Sequence, residues 1–164
     1  MLKEKIDEEI LSAIAPCSMF CSTCTGCSYG DIHHHAKELL HLLEGHEEFL
    51  NQNLSERYRH KLDEYKVFHK KLNKLATSKC GGCRNKRANG CCIRGCVIPD
   101  CVEEHQVLFC AFCQRFPCDK VNEKIYSKEI VKKWLDGNME IKRDGIISYY
   151  EKNKDKPHYI DYVK

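Results

Sequence analysis

The sequence predicts a mainly α-helical protein with an irregular, metal-stabilised, cysteine-rich core and a helical hairpin inserted between its cysteine clusters. Thirteen cysteines in 164 residues fall into tight groups rather than singly. Between and after these groups, apolar residues recur at helical spacing. No alternation of strands and helices is present, which argues against an α/β fold.

The close spacing of the cysteines favours metal binding over disulfide bonds. Thiolates two to four residues apart can converge on one soft cation at about 2.3 Å per zinc–sulfur bond, whereas a disulfide between near neighbours strains the loop. The chain begins without a basic and apolar leader and has no long uncharged apolar run. We therefore expect a cytoplasmic protein with no membrane segment, where cysteines are more often ligands than disulfide partners.

The length of 164 residues suits one domain. Within a single cysteine-rich metal-binding domain over 1–164, we expect a helical hairpin at 31–77, a loop-rich metal core at 78–118, and C-terminal helices with a tail at 119–164. The apolar fraction of 42% counts the cysteines, so the aliphatic and aromatic core is thin. Several metal sites would supply the stability that such a core lacks.

Apolar periodicity predicts the first helices. A short helix carries Leu2, Ile6, Ile10 and Ile14 and ends at Pro16. Asp31 can cap a second helix, which runs to Gly45 with one apolar face made by Ile32, Ala36, Leu39, Leu40 and Leu43. A third starts near Ser55, with an inward stripe of Tyr58, Leu62, Tyr65, Phe68, Leu72 and Leu75. The last two helices would form the hairpin, which returns Cys80 and Cys83 to the first cysteine group.

The chain turns helical again beyond Cys118. Its apolar positions are Val121, Ile125, Ile130, Val131, Trp134, Leu135, Ile141, Ile146, Ile147 and Tyr150. Gly137 and Asn138 are expected to break this run, because both residues disfavour helix interiors. The lysine-rich tail from Lys152 is expected to dock loosely, if at all.

Eleven cysteines are the predicted metal ligands. The C-x-x-C pairs allow two thiolates to face one ion, and four thiolates per zinc predict two or three zinc ions. The predicted ligands are Cys17, Cys21, Cys24, Cys80, Cys83, Cys92, Cys96, Cys101, Cys110, Cys113 and Cys118.

The other thiols and the histidines are weaker candidates. Adjacent Cys91 and Cys92 rarely ligate one ion together, so one of them is expected to be spare, and Cys27 is a less certain ligand. The triplet His33, His34 and His35 lies on a predicted helix, where consecutive side chains point about 100° apart, which favours solvated or packing roles. His105, between Cys101 and Cys110, is the histidine best placed to be a ligand.

The N-terminal group admits other chemistry. The spacing Cys17-x3-Cys21-x2-Cys24 is also that of radical S-adenosylmethionine enzymes, but their barrel of strands and helices is missing here. An alternative [4Fe–4S] cluster without radical chemistry stays open, since four cysteines ligate iron clusters as readily as zinc. A redox C-x-x-C would need a βαβ context that the sequence lacks. Catalysis by a cysteine with a histidine is possible in principle, but no single thiol stands out.

The order of the motifs resembles a known family. The motifs are Ala15-Pro16-Cys17-x3-Cys21-x2-Cys24, Cys80-Gly-Gly-Cys83, Cys96-Val-Ile-Pro-Asp-Cys101 and Cys110-Ala-Phe-Cys113-Gln-Arg-Phe-Pro-Cys118. They resemble a cysteine-rich prokaryotic domain-of-unknown-function family, number 3795 in its series, over about residues 13–150. The resemblance implies zinc binding by the eleven cysteines above and implies no activity. The chain departs from that family at Cys92-x3-Cys96, at the extra Cys27, and at Ser18, where a glycine often follows the first cysteine.

Three functions follow as expectations. The first is an interaction or regulatory module with two or three structural zinc sites and a protein partner, because four-thiolate sites are closed to substrate. The second is an iron–sulfur or open-site metal enzyme or metal-handling protein that uses the N-terminal cysteines; whether the protein is an enzyme stays open. The third is RNA binding through the basic segment 57–87, although the sequence pI of 8.2 falls below the value of about 9 typical of such domains. Its cations are Arg57, Arg59, Lys61, Lys66, Lys70, Lys71, Lys74, Lys79, Arg84, Lys86 and Arg87.

Overall fold

The computed structural model of the protein describes residues 6–85, 93 and 95–162. Within these ranges the chain forms seven α-helices and no strand, so the prediction of a mainly α fold is confirmed. Its metal stabilisation remains a prediction. The helices are α1 (Glu8–Ala13), α2 (Asp31–Leu42), α3 (His46–Asn53), α4 (Arg59–Ala76), α5 (Ile98–Glu104), α6 (Lys128–Asp144) and α7 (Ile146–Asn153), and three 3-10 turns cover Glu56–Tyr58, Cys110–Phe112 and Ile160–Tyr162.

Helices α2 and α4 pack against each other in antiparallel orientation. The Nδ1 atom of His33, near the start of α2, lies 3.2 Å from the carbonyl oxygen of Leu75, at the end of α4. Ala36, Leu72 and Ala76 are buried between the two helices. Tyr58 and Phe68 were expected on the inward stripe but are 42% and 46% exposed, so the buried face of α4 is narrower than predicted.

The sequence prediction missed helix α3. None of its residues is buried, so it carries no apolar stripe that periodicity could detect. Its contact with α4 includes an edge-on packing of the His46 and Tyr65 rings, whose centroids are 4.8 Å apart. Gly30 occupies the N-cap of α2, and Asp31, the predicted cap, is its first helical residue. There the carboxylate still interacts favourably with the positive end of the helix dipole.

Helix α6 continues through Gly137 and Asn138, so the predicted break at these residues is wrong. Both residues are buried, and their tertiary contacts offset their poor helix propensity. The chain instead changes direction at Gly145, whose φ of 85° is unfavourable for other residues. Helix α7 follows and packs on α6.

Two hydrophobic clusters hold the rest of the described chain together. One joins α1 to α6 and α7 around Ile14, Phe109, Ile141 and Tyr149. The other surrounds Trp134 and packs largely against cysteine side chains. Helix α5 lies within the segment expected to be loop-rich and begins with Pro99 in its first turn. None of the described helices is both long enough and apolar enough to span a membrane.

Candidate metal centres

All eleven cysteines in the described ranges are reduced, and each of them lines one of two cavities. The first cavity, of about 70 Å³, is lined by Cys17, Cys21, Cys24, Cys27, Cys80, Cys83 and Cys96. The second, of about 20 Å³, is lined by Cys101, Cys110, Cys113 and Cys118. Ten of the eleven predicted ligands are therefore gathered in two places. Cys92, the eleventh, and its neighbour Cys91 lie outside the described residues.

A tight loop after α1 places the first thiols. The Cys21 amide donates to the Ala13 carbonyl at 2.6 Å, and the Ala15 amide donates to the Met19 carbonyl at 2.8 Å. Ser18 stands at the tip of this loop with φ of 72°, in the left-handed region that favours glycine. This conformation would suit a glycine at the position that follows the first cysteine.

The hairpin returns Cys80 to the first thiol group, as its position in the sequence predicts. The Ser28 amide donates to the Cys80 carbonyl at 2.9 Å, and the Cys80 amide donates to the Gly26 carbonyl at 3.2 Å. Gly82, in the predicted C-G-G-C knuckle, has φ of 81°, and a side chain there would collide with the Tyr29 hydroxyl. The knuckle thus requires a glycine at this position.

Cys27 belongs to the first cavity, although the sequence analysis ranked it among the weaker ligands. It is only 2% exposed and forms a parallel bridge with Cys80. The signal was present in the sequence, because Cys24-Thr-Gly-Cys27 is itself a C-x-x-C pair.

Burial makes these thiols poor acids when no cation is present. Loss of hydration, followed by repulsion from the Cys83 and Cys27 sulfurs, raises the pKa of Cys21 to about 12. The same burial raises the pKa of Cys17 and Cys27. Backbone amides oppose these shifts by donating to the sulfurs of Cys17, Cys21 and Cys27. Such N–H groups bind a thiolate better than a thiol.

Arg84 supplies a half-buried positive charge beside the first cavity. Its guanidinium donates to the carbonyls of Leu11, Ile14 and Leu108 at 2.7 to 3.2 Å, and it stacks over the Phe109 ring at 4.4 Å. Burial lowers the Arg84 pKa, and the neighbouring Cys21, Cys17 and Cys83 sulfurs oppose that shift. The side chain is therefore held inside the fold and is not a free surface cation.

The second cavity has the size of about one water-sized particle, given that some 10–15 Å³ accommodates one. Cys110 lies in the 3-10 turn, and the Cys113 amide donates to its carbonyl at 3.0 Å. His105, the histidine that the sequence placed best, lines the same cavity. Lys120 approaches the Cys101 sulfur at 3.8 Å.

Trp134 gives the second cavity a donor that suits a thiolate. Its buried indole N–H reaches no oxygen or nitrogen acceptor and lies beside the Cys110 sulfur. Burial raises the Cys110 pKa to about 11, and this indole contact partly opposes the rise. Ionised sulfur would accept the indole hydrogen far better than a neutral thiol does. The donor set of this cavity thus fits a metal ion that binds thiolates.

As placed, no three Cys, His, Asp or Glu side chains in the described ranges converge on a point where they could coordinate a common ion. Coordination in either cavity would require the lining thiols to turn towards the ion. None of the triplet His33, His34 and His35 lines either cavity. His33 is buried against Leu75 and Ser78, while His34 and His35 contact Glu38 on the surface.

Asn138 connects the two thiol groups and was missed as a site residue. Its Oδ1 accepts from the Ala111 amide at 2.9 Å, directly after Cys110. Its Nδ2 donates to the Ser18 hydroxyl at 3.2 Å, directly after Cys17. Because Asn138 lies 120 residues from Ser18 and 27 residues from Ala111, no local motif could have revealed this link.

The sequence profile of one protein family matches residues 13–123 of this chain. This match includes all thirteen cysteines and ends before the stretch 124–150 that the motif resemblance also covered. No curated protein and no solved structure matches the chain. The chain therefore belongs to the family described as protein of unknown function (DUF3795).

Proposed function

We propose that this protein is a zinc-binding module whose cysteine-ligated ions are structural and whose surface serves a protein partner. The supporting observation is that all eleven described cysteines are reduced and that each of them lines one of the same two cavities. Thiols that serve merely as small apolar residues would be expected to scatter through the core. Grouping of this kind suits thiolate ligation of a soft cation.

Zinc fits these donors better than the harder cations do. Magnesium and calcium prefer oxygen ligands, whereas zinc takes four thiolate or imidazole ligands in a tetrahedral arrangement. Filling every position with protein ligands leaves no place for water or substrate, so such a centre acts on folding and not on catalysis. The bound ion would supply the charge that allows the buried thiols to ionise.

The packing of the fold also favours a structural role. The cluster around Trp134 contacts Cys21, Cys83, Cys96, Cys110, Cys113 and Cys118 on its edge. Ionising those thiols around zinc would link segments that are distant in the sequence. Removal of the metal is therefore expected to unfold the Trp134 region first.

Metal analysis together with circular dichroism tests this proposal. Protein purified without oxygen is expected to contain zinc, and a strong chelator is expected to abolish the near-ultraviolet signal of Trp134. Cys113→Ser should lose the ion of the second cavity, whereas the control His35→Ala, on the surface and outside both cavities, should keep its full metal content. A metal-free protein with an unchanged spectrum would refute the proposal.

The same measurements address the iron–sulfur alternative at the N-terminal cysteines. The seven thiols of the first cavity exceed the four that one cluster requires, so this alternative retains a chemical basis. Equal amounts of iron and acid-labile sulfide, with visible absorption, would establish it in place of zinc.

RNA binding is the weaker alternative, because several of its cations already have partners, among them Arg59, which lies 3.8 Å from Glu56. Arg84 is held by backbone carbonyls, and Lys66 lies 4.0 Å from Glu47. Lys86 and Arg87 lie outside the described residues. Binding of single-stranded RNA that weakens as salt is added would support the RNA-binding alternative.

A further inference from the structure

The first cavity contains more thiols than one ion can use. A tetrahedral zinc ion takes four ligands, and seven cysteines of the described ranges, which leave out Cys91 and Cys92, line this cavity. Two ions would need eight donors if no ligand is shared. One further donor is therefore required for two complete sites.

The seven thiols divide into two sets by their surroundings. Cys17, Cys21, Cys83 and Cys96 belong to the cluster around Trp134, which also includes Cys110, Cys113 and Cys118 of the second cavity. Cys24, Cys27 and Cys80 lie outside that cluster, and Cys27 is linked to Cys80 by its backbone bridge. Besides burial, the sulfurs that raise the pKa of Cys27 are likewise those of Cys80 and Cys24, while the pKa of Cys21 is raised by the Cys83 sulfur more than by those of Cys27 and Cys24.

The eighth donor is offered by the C-terminal tail. His158 is the histidine that lines the first cavity, and its Nδ1 is shielded from solvent. Its neighbour Tyr159 accepts from the Thr25 amide at 3.3 Å and lies 2.7 Å from the Thr25 hydroxyl. The same Tyr159 oxygen lies 3.8 Å from the Cys24 sulfur, which places the tail beside the three-thiol set.

A side chain of α6 also contacts the C-terminal tail. Lys133 of α6 donates to the His158 carbonyl at 3.0 Å and lies 4.8 Å from the centroid of the Tyr162 ring. These contacts contradict the expectation of a loosely docked tail. They bring a residue beyond the family match, which ends at residue 123, into the thiol cavity.

The distribution of charge agrees with this division. A zinc ion with four thiolates carries a net charge of about −2, whereas three thiolates and one imidazole leave about −1. Arg84 is a half-buried cation, and its neighbouring sulfurs are those of Cys21, Cys17 and Cys83. The four-thiolate site, which is the more negative of the two, therefore lies beside the positive charge of Arg84.

We propose that the first cavity holds two zinc ions, one bound by Cys17, Cys21, Cys83 and Cys96 and the other by Cys24, Cys27, Cys80 and His158. With the ion of the second cavity, the chain would bind three. This inference rests on the proposed zinc function and adds a count of ions and a histidine ligand. The C-terminal tail then acts as part of the centre and not as an appendage.

Cadmium-113 substitution with ¹⁵N-labelled histidine tests the inference directly. The wild-type chain is expected to bind three ions by native mass spectrometry and to show one cadmium resonance coupled to an imidazole nitrogen. His158→Ala should remove that coupling and one ion. The control His105→Ala, in the second cavity, should retain the coupling.

Two further variants separate ligation from tail docking. Tyr159→Phe removes the hydroxyl bonds to Thr25 and should keep the coupling while releasing the ion to a chelator about tenfold faster. The double change Cys91→Ser and Cys92→Ser should leave three ions bound. Two outcomes would overturn this inference alone. One is a wild-type chain that binds only two ions. The other is a chain that binds three ions but shows no imidazole coupling that His158→Ala removes. Absence of any bound metal would overturn the zinc function as well.

Discussion

Individual buried polar residues hold the two thiol groups in place. Asn138 is fully buried and bonds to the Ala111 amide, the Ser18 hydroxyl and the Trp134 carbonyl. Tyr149 donates to the Ser18 carbonyl at 2.8 Å. Because the bonded backbone positions directly follow Cys17 and Cys110, these bonds set where the two loops sit relative to each other.

Asn138→Ala is expected to lower the free energy of unfolding by about 2–4 kcal/mol, because it leaves the buried Ala111 N–H without an acceptor and opens a small cavity. Urea denaturation of the metal-loaded protein measures this change. Asn53→Ala is the matched control. Its Nδ2 makes the same bond to a carbonyl four residues earlier, at 2.8 Å, but on the surface. Equal losses in the two variants would contradict a linking role for Asn138.

Ser18 should tolerate glycine better than alanine. Both substitutions lose the bond from Asn138, but alanine keeps the unfavourable left-handed conformation, which costs a non-glycine residue about 1–2 kcal/mol. We expect Ser18→Gly to be more stable than Ser18→Ala by roughly 1 kcal/mol in thermal unfolding. A more stable alanine variant would show that φ at this position relaxes at little cost.

At the scale of the elements, α6 is the helix on which both cavities depend. It carries Trp134 and Asn138 inward and Lys133 towards the C-terminal tail. Gly137 permits this close packing, because a side chain there would lie 2.9 Å from both the Ser18 Cβ and the Tyr149 hydroxyl. The hairpin of α2 and α4 has a separate small core and returns Cys80 to Cys27.

Gly137→Ala tests whether close packing or helix propensity has the larger effect on stability at this position. Alanine in a solvent-exposed helix interior stabilises by up to about 1 kcal/mol relative to glycine. Here we expect a lower melting temperature instead, because the new methyl group meets two buried side chains. The exposed Asp136→Ala is the control for propensity, and it should leave the melting temperature nearly unchanged. A stabilised Gly137→Ala would mean that α6 can shift away from the Ser18 loop.

At the scale of the whole molecule, the thiols should make stability depend on pH in opposite directions with and without metal. In the metal-free fold, burial raises the pKa of Cys21 to about 12 and of Cys110 to about 11. The folded state then holds more protons than the unfolded chain above pH 9, so the free energy of unfolding falls as pH rises from about 9. Below pH 9 the stabilising contribution of these protonated, buried thiols is fully present.

The metal-loaded protein should show the reverse trend in acid. Zinc binds thiolates, so the loaded fold holds fewer protons than the unfolded, metal-free chain, and acid should favour release of the ion and unfolding. Zinc added to metal-free protein at pH 7 should release about one proton per coordinated thiol, as a pH indicator in weak buffer would report. In the metal-free protein, Cys21→Ser should reduce the loss of stability at alkaline pH. Zinc uptake without proton release would contradict thiol ligation.

The sequence by itself determined the helical class and the segments in which the cysteines group, because these depend on periodicity and on spacing within a few residues. Only the tertiary structure decided which thiols share a cavity, that Cys27 joins them, that α6 runs through Gly137, and that His158 reaches the N-terminal group. Each of those depends on contacts between segments that are distant in the chain. Such contacts arise from the packing of whole helices, and local spacing carries no record of them.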